Sequence, residues 1–318
     1  MFMRNQKQSL YHTLRPSLEA KYPGLLGSVV CPLCLEAFRL DEPDGLTVEH
    51  PVPSTLGGRV TTLTCKACNN SHGSVLDRHL VDAQKALDGL EGAAPIEGTW
   101  RRLEGRVSLQ VRPPVGLEGD QVELRIVGLQ SNPVAVAAIG DGLRDGAILQ
   151  NDIEIELDFK LTPEQYWRAA VRAAYLAVFC DRQYEYACTT GAEQARDVIN
   201  GKAQARPTVI MEAFPDREVP RCILVIPLAD CFAVLLRLRS KRTRHLVVWL
   251  PGESGCRWTD LEALYPHAPR LRIQTTPDGW TEPLHIYLDY DPVSEMIAGR
   301  RLWRSFLRLP SSRHPSLY

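Results

Sequence analysis

Apolar residues recur at helical spacing near the start of the chain, where Leu10, Leu14 and Leu18 follow one another at four-residue intervals. That period predicts a helix over 5–21. Pro16 should kink or restart it, because proline lacks the amide that the preceding turn would bond. Tyr22 precedes Pro23 and is pushed toward extended geometry, so the helix should stop there. A second helical stripe, Leu76, Leu80, Ala83 and Leu87, ends at Gly89 and Gly92, which suit a helix stop and a linker. From about residue 95 the period shortens to two. Strands are predicted at 105–111, 121–129 and 153–159, where apolar and polar positions alternate. Thr162-Pro163-Glu164-Gln165 then signals a helix start, with Thr as cap and Pro at the first position. Its helix should run to about Cys180, with Tyr166, Ala169, Ala173, Leu176 and Cys180 on one face. Further strands are predicted at 222–227, 245–250, 271–275 and 285–288.

Composition changes this picture little. The chain has 318 residues, 44% hydrophobic and 24% charged, which is ordinary for a folded protein of about two domains. Lys+Arg 37 against Asp+Glu 38 leaves a formal charge of -1, so contact with nucleic acid would have to use a local patch. No apolar run approaches the roughly 18 residues of a membrane span, and the start lacks a secretory pattern. No membrane partner is expected, and the expected location is the cytoplasm.

The cysteines change it more. There are nine, an odd count, and four of them form two pairs, Cys31-Pro32-Leu33-Cys34 and Cys65-Lys66-Ala67-Cys68, with 30 residues between. Two thiolates at this spacing can face one ion from a tight turn, and two such turns complete a tetrahedron around zinc. A thioredoxin-like motif needs only one such pair in a strand-to-helix setting. Four protein ligands leave no place for water, so a zinc here is expected to be structural. Cys180, Cys188, Cys222, Cys231 and Cys256 show no pairing and read as small buried apolar residues.

Between the pairs lies Leu46-Thr47-Val48-Glu49-His50-Pro51-Val52-Pro53, followed by Gly57-Gly58, and after the second pair comes Asn69-Asn70-Ser71-His72-Gly73. In this order the residues resemble the HNH endonuclease family in its zinc-knuckle branch, over about residues 28–80. The resemblance implies a zinc-clamped ββα-metal unit carrying one catalytic Mg²⁺ or Mn²⁺. By position, His50 matches the general base, Glu49 the acidic ligand of the catalytic ion, and Asn69 the helix-borne ligand. Asn70 could serve if the helix register differs by one. Three departures stand out: Glu49 where the family more often has Asp, Val60 where it often has a supporting Asn, and His72 where relatives often have Lys. His72 is a further candidate for metal or phosphate. Independently of any family, phosphodiester hydrolysis needs a base that titrates near neutrality and a hard cation on oxygen ligands.

The expected fold is α+β: an N-terminal helix over 1–27, the zinc-knuckle nuclease unit over 28–90, and a mixed α+β accessory domain over 95–318. The expected activity is hydrolysis of DNA, double-stranded, and the competing expectation is a catalytically silent knuckle that binds nucleic acid or protein. Arg237, Arg239, Lys241, Arg242 and Arg244 form one candidate phosphate-binding cluster; Arg300, Arg301, Arg304, Arg308 and Arg313, interleaved with Trp303 and Phe306, form another. The accessory domain is a candidate for a regulatory ligand or protein partner. No GxxxxGK[ST] phosphate loop is present.

Overall fold

A computed structural model of the chain describes residues 2–40, 42, 45–102, 105–112, 123–144, 155–157, 162–204, 208–211, 222–226, 230–254 and 284–287. The fold is mixed α+β, with small antiparallel sheets and helices. Two compact units emerge, one of residues 1–80 with 162–239 and 243–318, the other of 81–161 with 240–242. This differs from the expected border near residue 90. The second half of the chain returns to pack on the cysteine-bearing segment instead of forming a domain of its own.

In the first unit, α1 (Phe2–Lys21) runs through Pro16 and stops where predicted, at a non-helical Tyr22. Its Tyr11, Leu14 and Leu18 face a core shared with Val29, Val30, Leu46, Leu63, Phe179 and Tyr184. Two short hairpins follow, β1 (Val29–Val30) with β2 (Ala37–Phe38), and β3 (Leu46–Glu49) with β4 (Thr62–Cys65). β4 leads into one helical turn, α2 (Lys66–Cys68), a π-type turn (Asn69–Gly73) and α3 (Ser74–Leu90). The helix expected to carry Asn69 is thus interrupted before its long run begins.

The helix started by Pro163 is α5 (Pro163–Ala187), longer than its predicted stripe. Residues 169–176 are buried on every side rather than along one face. Thr162 is extended but makes no side-chain cap bond. Helical geometry breaks at Gln183, whose φ of 50° is in the left-handed region. α6 (Thr190–Ile199) follows, capped by the Thr189 hydroxyl, which accepts from the Ala192 amide at 3.2 Å. Both helices pack on a five-stranded sheet of β9 (Thr208–Met211), β10 (Cys222–Ile226), β11 (Cys231–Arg239), β12 (Thr243–Pro251) and β13 (Leu284–Tyr287), in the order β13-β10-β11-β12-β9. Only the β10–β13 pair is parallel. The predicted strand at 271–275 lies outside the described residues.

The second unit holds a four-stranded antiparallel sheet of β5 (Ile96–Arg102), β6 (Gly105–Arg112), β7 (Glu123–Ile126) and β8 (Ile155–Leu157), ordered β7-β6-β5-β8. One face carries Val107, Leu109 and Val111, which meet Ala135 and Ile139 of α4 (Pro133–Arg144). The alternation over 105–111 places those three residues on one side of the strand, as a half-buried sheet requires.

Candidate metal centre and its carboxylate neighbour

The four knuckle cysteines converge. The Sγ atoms of Cys31, Cys34, Cys65 and Cys68 all lie within 4.8 Å of one another, and no other group of three or more His, Cys, Asp or Glu among the described residues is so placed. Backbone geometry brings them there. A turn returns the Leu35 amide to the Cys31 carbonyl at 2.9 Å, with Leu35 itself at φ 63°, and the Cys68 amide donates to Cys65 Sγ at 3.3 Å. The Cys65 amide donates to Cys31 Sγ at 3.3 Å, tying the two turns together. Without a cation the sulfurs share protons unequally: hydrogen bonding from Cys31 pulls Cys65 down to about 5, helped by the Cys68 amide. The other three thiols, then burial, push Cys31 up. Four negative sulfurs cannot share this space without a cation, so the donor set fits a tetrahedral zinc ion.

The knuckle is tied to α5 by two tyrosines. Tyr184 OH donates to the Val30 carbonyl at 2.5 Å and accepts from the Val30 amide at 2.9 Å. Tyr175 OH donates to the Pro32 carbonyl at 2.6 Å and accepts from Arg196 at 3.0 Å.

Glu49 and His50 stand at the end of β3, where the chain enters the Gly57-Gly58 turn. A Cβ on Gly58 would lie 1.7 Å from the Val52 carbonyl oxygen, so this return requires glycine. The turn brings Val60 back to His50, whose Nδ1 lies 3.2 Å from the Val60 carbonyl oxygen. A carbonyl can only accept, so Nδ1 is the donor in this contact, and in a neutral ring the lone pair is then on Nε2. The support sought in an Asn side chain at position 60 thus comes from the backbone of Val60.

Asn69 follows the last knuckle cysteine. Its Nδ2 donates to Thr47 Oγ1 at 2.8 Å and approaches the Val48 carbonyl at 3.4 Å, which fixes the amide against β3. Its Oδ1 looks onto the space beside Gly73, where a Cβ would stand 3.0 Å from Oδ1 and 3.9 Å from Asp77 Oδ2. Asn70, the alternative ligand, is exposed.

Glu49 is buried and already faces a cation. Arg172 of α5, fully buried, places Nη2 3.0 Å from Glu49 Oε1 and Nη1 2.8 Å from Asp77 Oδ1. One guanidinium therefore serves two carboxylates, and the group carries a surplus of negative charge when both are ionised. Burial, with Glu49 nearby, raises Asp77 to about 7 despite Arg172. Carboxylate and amide oxygens are the donor type that suits a hard divalent cation, and at Gly73 an added Cβ would crowd Asn69 Oδ1. His72 does not join the carboxylates. It is half-buried, bonds to Asn200, and is pushed down to about 4 by burial and then by Arg172 and Arg168.

Sequence reasoning missed Arg172 and Asp77. The available signal was a lone charge inside the apolar run Ala169-Ala170-Val171-Arg172-Ala173-Ala174, since arginine is rarely buried unless paired. The basic cluster of the β11–β12 hairpin is not gathered into one exposed patch. Arg244 is buried, Arg242 pairs with Glu91 at 3.0 Å, and Lys241 is exposed, its amide donating to Asp88 at 3.0 Å. Arg237 is half-buried, and Arg239 is exposed, its side chain lying beside Gly57. The second cluster, at 300–313, lies outside the described residues. No helix among the described residues is long and apolar enough to cross a membrane. Comparisons with protein-family models, with curated proteins and with solved structures returned no match.

Proposed function

We propose that the chain is a metal-dependent endonuclease of the HNH type, hydrolysing phosphodiesters of double-stranded DNA. The observation that carries this reading is the pose of His50. Its proton is held on Nδ1 by Val60, so Nε2 can take a proton from water at the end of a strand beside Glu49. The order of strand, strand and helix around it, with Asn69 directly after the second cysteine pair, supports the same ββα-metal reading. Glu49 and Asn69 would hold a Mg²⁺ or Mn²⁺ ion. That ion would supply the charge that offsets the developing negative charge on phosphate and leaving oxygen. The cysteine-bound zinc would be structural, fixing the start of the helix on which Asn69 sits. Arg239, exposed beside the Gly57 turn, would meet a phosphate of the bound strand. The β-rich remainder of the chain would bind flanking DNA, a regulatory ligand or a protein partner.

One observation favours a second reading, a silent knuckle that binds without cutting: Glu49 already has Arg172 as counter-ion. Plasmid nicking decides between the two. Cleavage with Mg²⁺ or Mn²⁺ that EDTA abolishes, and that His50→Ala lowers by about 10²–10⁴-fold at unchanged zinc content, is the expected result. Binding without cleavage under either condition would leave the silent knuckle. Parental cleavage by His50→Ala would remove the base assignment.

A further inference from the structure

Arg172 comes from a helix more than 100 residues beyond the strand that carries Glu49, yet its guanidinium lies where a cation would be expected against that carboxylate. It is fully buried, while Glu49 and Asp77 side chains are 5% and 16% exposed. Arginine stays charged in any environment, so this position always contains a positive charge unless the side chain moves. A buried guanidinium with one carboxylate partner would be stranded if that partner turned to a metal ion. Here it has two, on separate elements, and the loss of either leaves the other. The Nε and Nη2 atoms have no hydrogen-bond partner of good geometry, so Glu49 is held by charge more than by a directed bond.

We propose that Arg172 and Asp77 are positioning residues that set the occupancy of the divalent-cation site: Arg172 competes with the ion for Glu49, and Asp77 retains Arg172 when the ion takes Glu49. This rests on the reading of Glu49 as a ligand of that ion. In the cation-free state the guanidinium offsets Glu49 and keeps two buried carboxylates from repelling each other. On binding, Glu49 exchanges one cation for another and Arg172 remains paired through Asp77 Oδ1. The segment that contributes Arg172 thereby weakens cation binding.

The test is Mn²⁺ titration of the full chain, followed by the EPR signal of the free ion, alongside thermal melting with and without Mn²⁺. Arg172→Gln removes the competitor and should tighten Mn²⁺ by about tenfold or more, because a unit charge beside a divalent ion is only partly screened at an effective dielectric of about 20. Asp77→Asn leaves Arg172 dependent on Glu49 and should weaken Mn²⁺ by about tenfold. Arg172→Lys keeps the charge and should stay near the parent. If Arg172→Gln is marginally folded, Mn²⁺ should raise its melting temperature more than the parent's, since a ligand stabilises the state that binds it. Opposite signs for the Gln and Asn variants are the signature, because a merely structural role would weaken both. Weakening by both, no change in either, or an Arg172→Gln protein that stays unfolded in Mn²⁺ would overturn the proposal. Those outcomes with a parent that still nicks DNA would leave the nuclease reading standing. Mn²⁺ binding gained by Arg172→Gln over a parent that neither binds nor cuts would support the competition and sink the nuclease reading.

Discussion

The thiol cluster and the carboxylate cluster lie on the same short stretch of chain and are built in opposite ways. Each thiol pair is presented by one turn; within the second the Cys68 amide donates to Cys65 Sγ, and the Cys65 amide joins the two turns by donating to Cys31 Sγ. The carboxylates need a partner from elsewhere: Arg172 reaches Glu49 and Asp77 from α5. A cluster made of local turns can be read from spacing, because turn geometry dictates the separation of the side chains. A cluster closed by a distant helix cannot, since nothing near Glu49 in the sequence specifies which charge will face it.

The largest effect that could break this contrast comes from removing a thiol. Cys65→Ser should abolish zinc binding, and metal analysis of the purified protein should fall from about one zinc per chain to none. Structural zinc contributes on the order of 10 kcal/mol in small units, comparable to the whole stability of a domain. The loss should not stay within residues 28–80. Tyr175 and Tyr184 find their acceptors in the backbone at Val30 and Pro32, so α5 should loosen with the knuckle. Limited proteolysis that cleaves in 28–80 and leaves α5 protected would show that the two are independent.

A smaller change sharpens the same point. Tyr184→Phe removes a hydroxyl that satisfies both polar groups of Val30. Leaving a buried amide and carbonyl unpaired costs about 1–3 kcal/mol, so the urea midpoint should fall while zinc content stays the same. Zinc lost along with stability would mean that α5 holds the knuckle in shape, and that the thiol cluster is less local than its spacing implies.

What could be read from sequence follows this division. The helices of α1 and α3, the strand β6 and the start of α5 were legible because each shows its own periodicity or proline signal. The thiol ligands were legible from two short spacings. Strands β1, β2, β5, β9 and β11 and helices α4 and α6 were missed. In β11 nearly every residue is buried on both faces, so alternation vanishes. The all-round burial of α5 was hidden for a related reason: a helix rich in alanine shows only a weak apolar stripe. At the site, Glu49, His50 and Asn69 could be proposed in order, but the role of Val60 is played by its carbonyl, which every residue type possesses. Arg172 was visible as an anomaly without a stated partner.

The smallest effect concerns pH, and it separates two residues that both feel the charge of Arg172. His72 is pushed down to about 4 from an ordinary 6.5, so the folded protein keeps it neutral where the unfolded chain would protonate it. Its contribution to stability is complete above pH 6.5 and is lost as pH falls toward 4. Asp77 is raised to about 7 from 3.8, so the folded protein retains a proton there that the unfolded chain releases. Its contribution has the opposite slope: complete below pH 3.8, lost as pH rises toward 7. Over the shared window the two offset each other, and the parent's urea midpoint without added divalent cation should vary little between pH 4.5 and 6.5, on the order of the difference between two opposing slopes. His72→Gln leaves the Asp77 slope, so the midpoint should fall as pH rises. Asp77→Asn leaves the His72 slope, and the midpoint should climb instead. Because Asp77 owes its shift to burial and to Glu49, parallel slopes in the two variants would mean that Arg172 neutralises Asp77 in full, and the carboxylates would then have no surplus charge to offer a divalent ion.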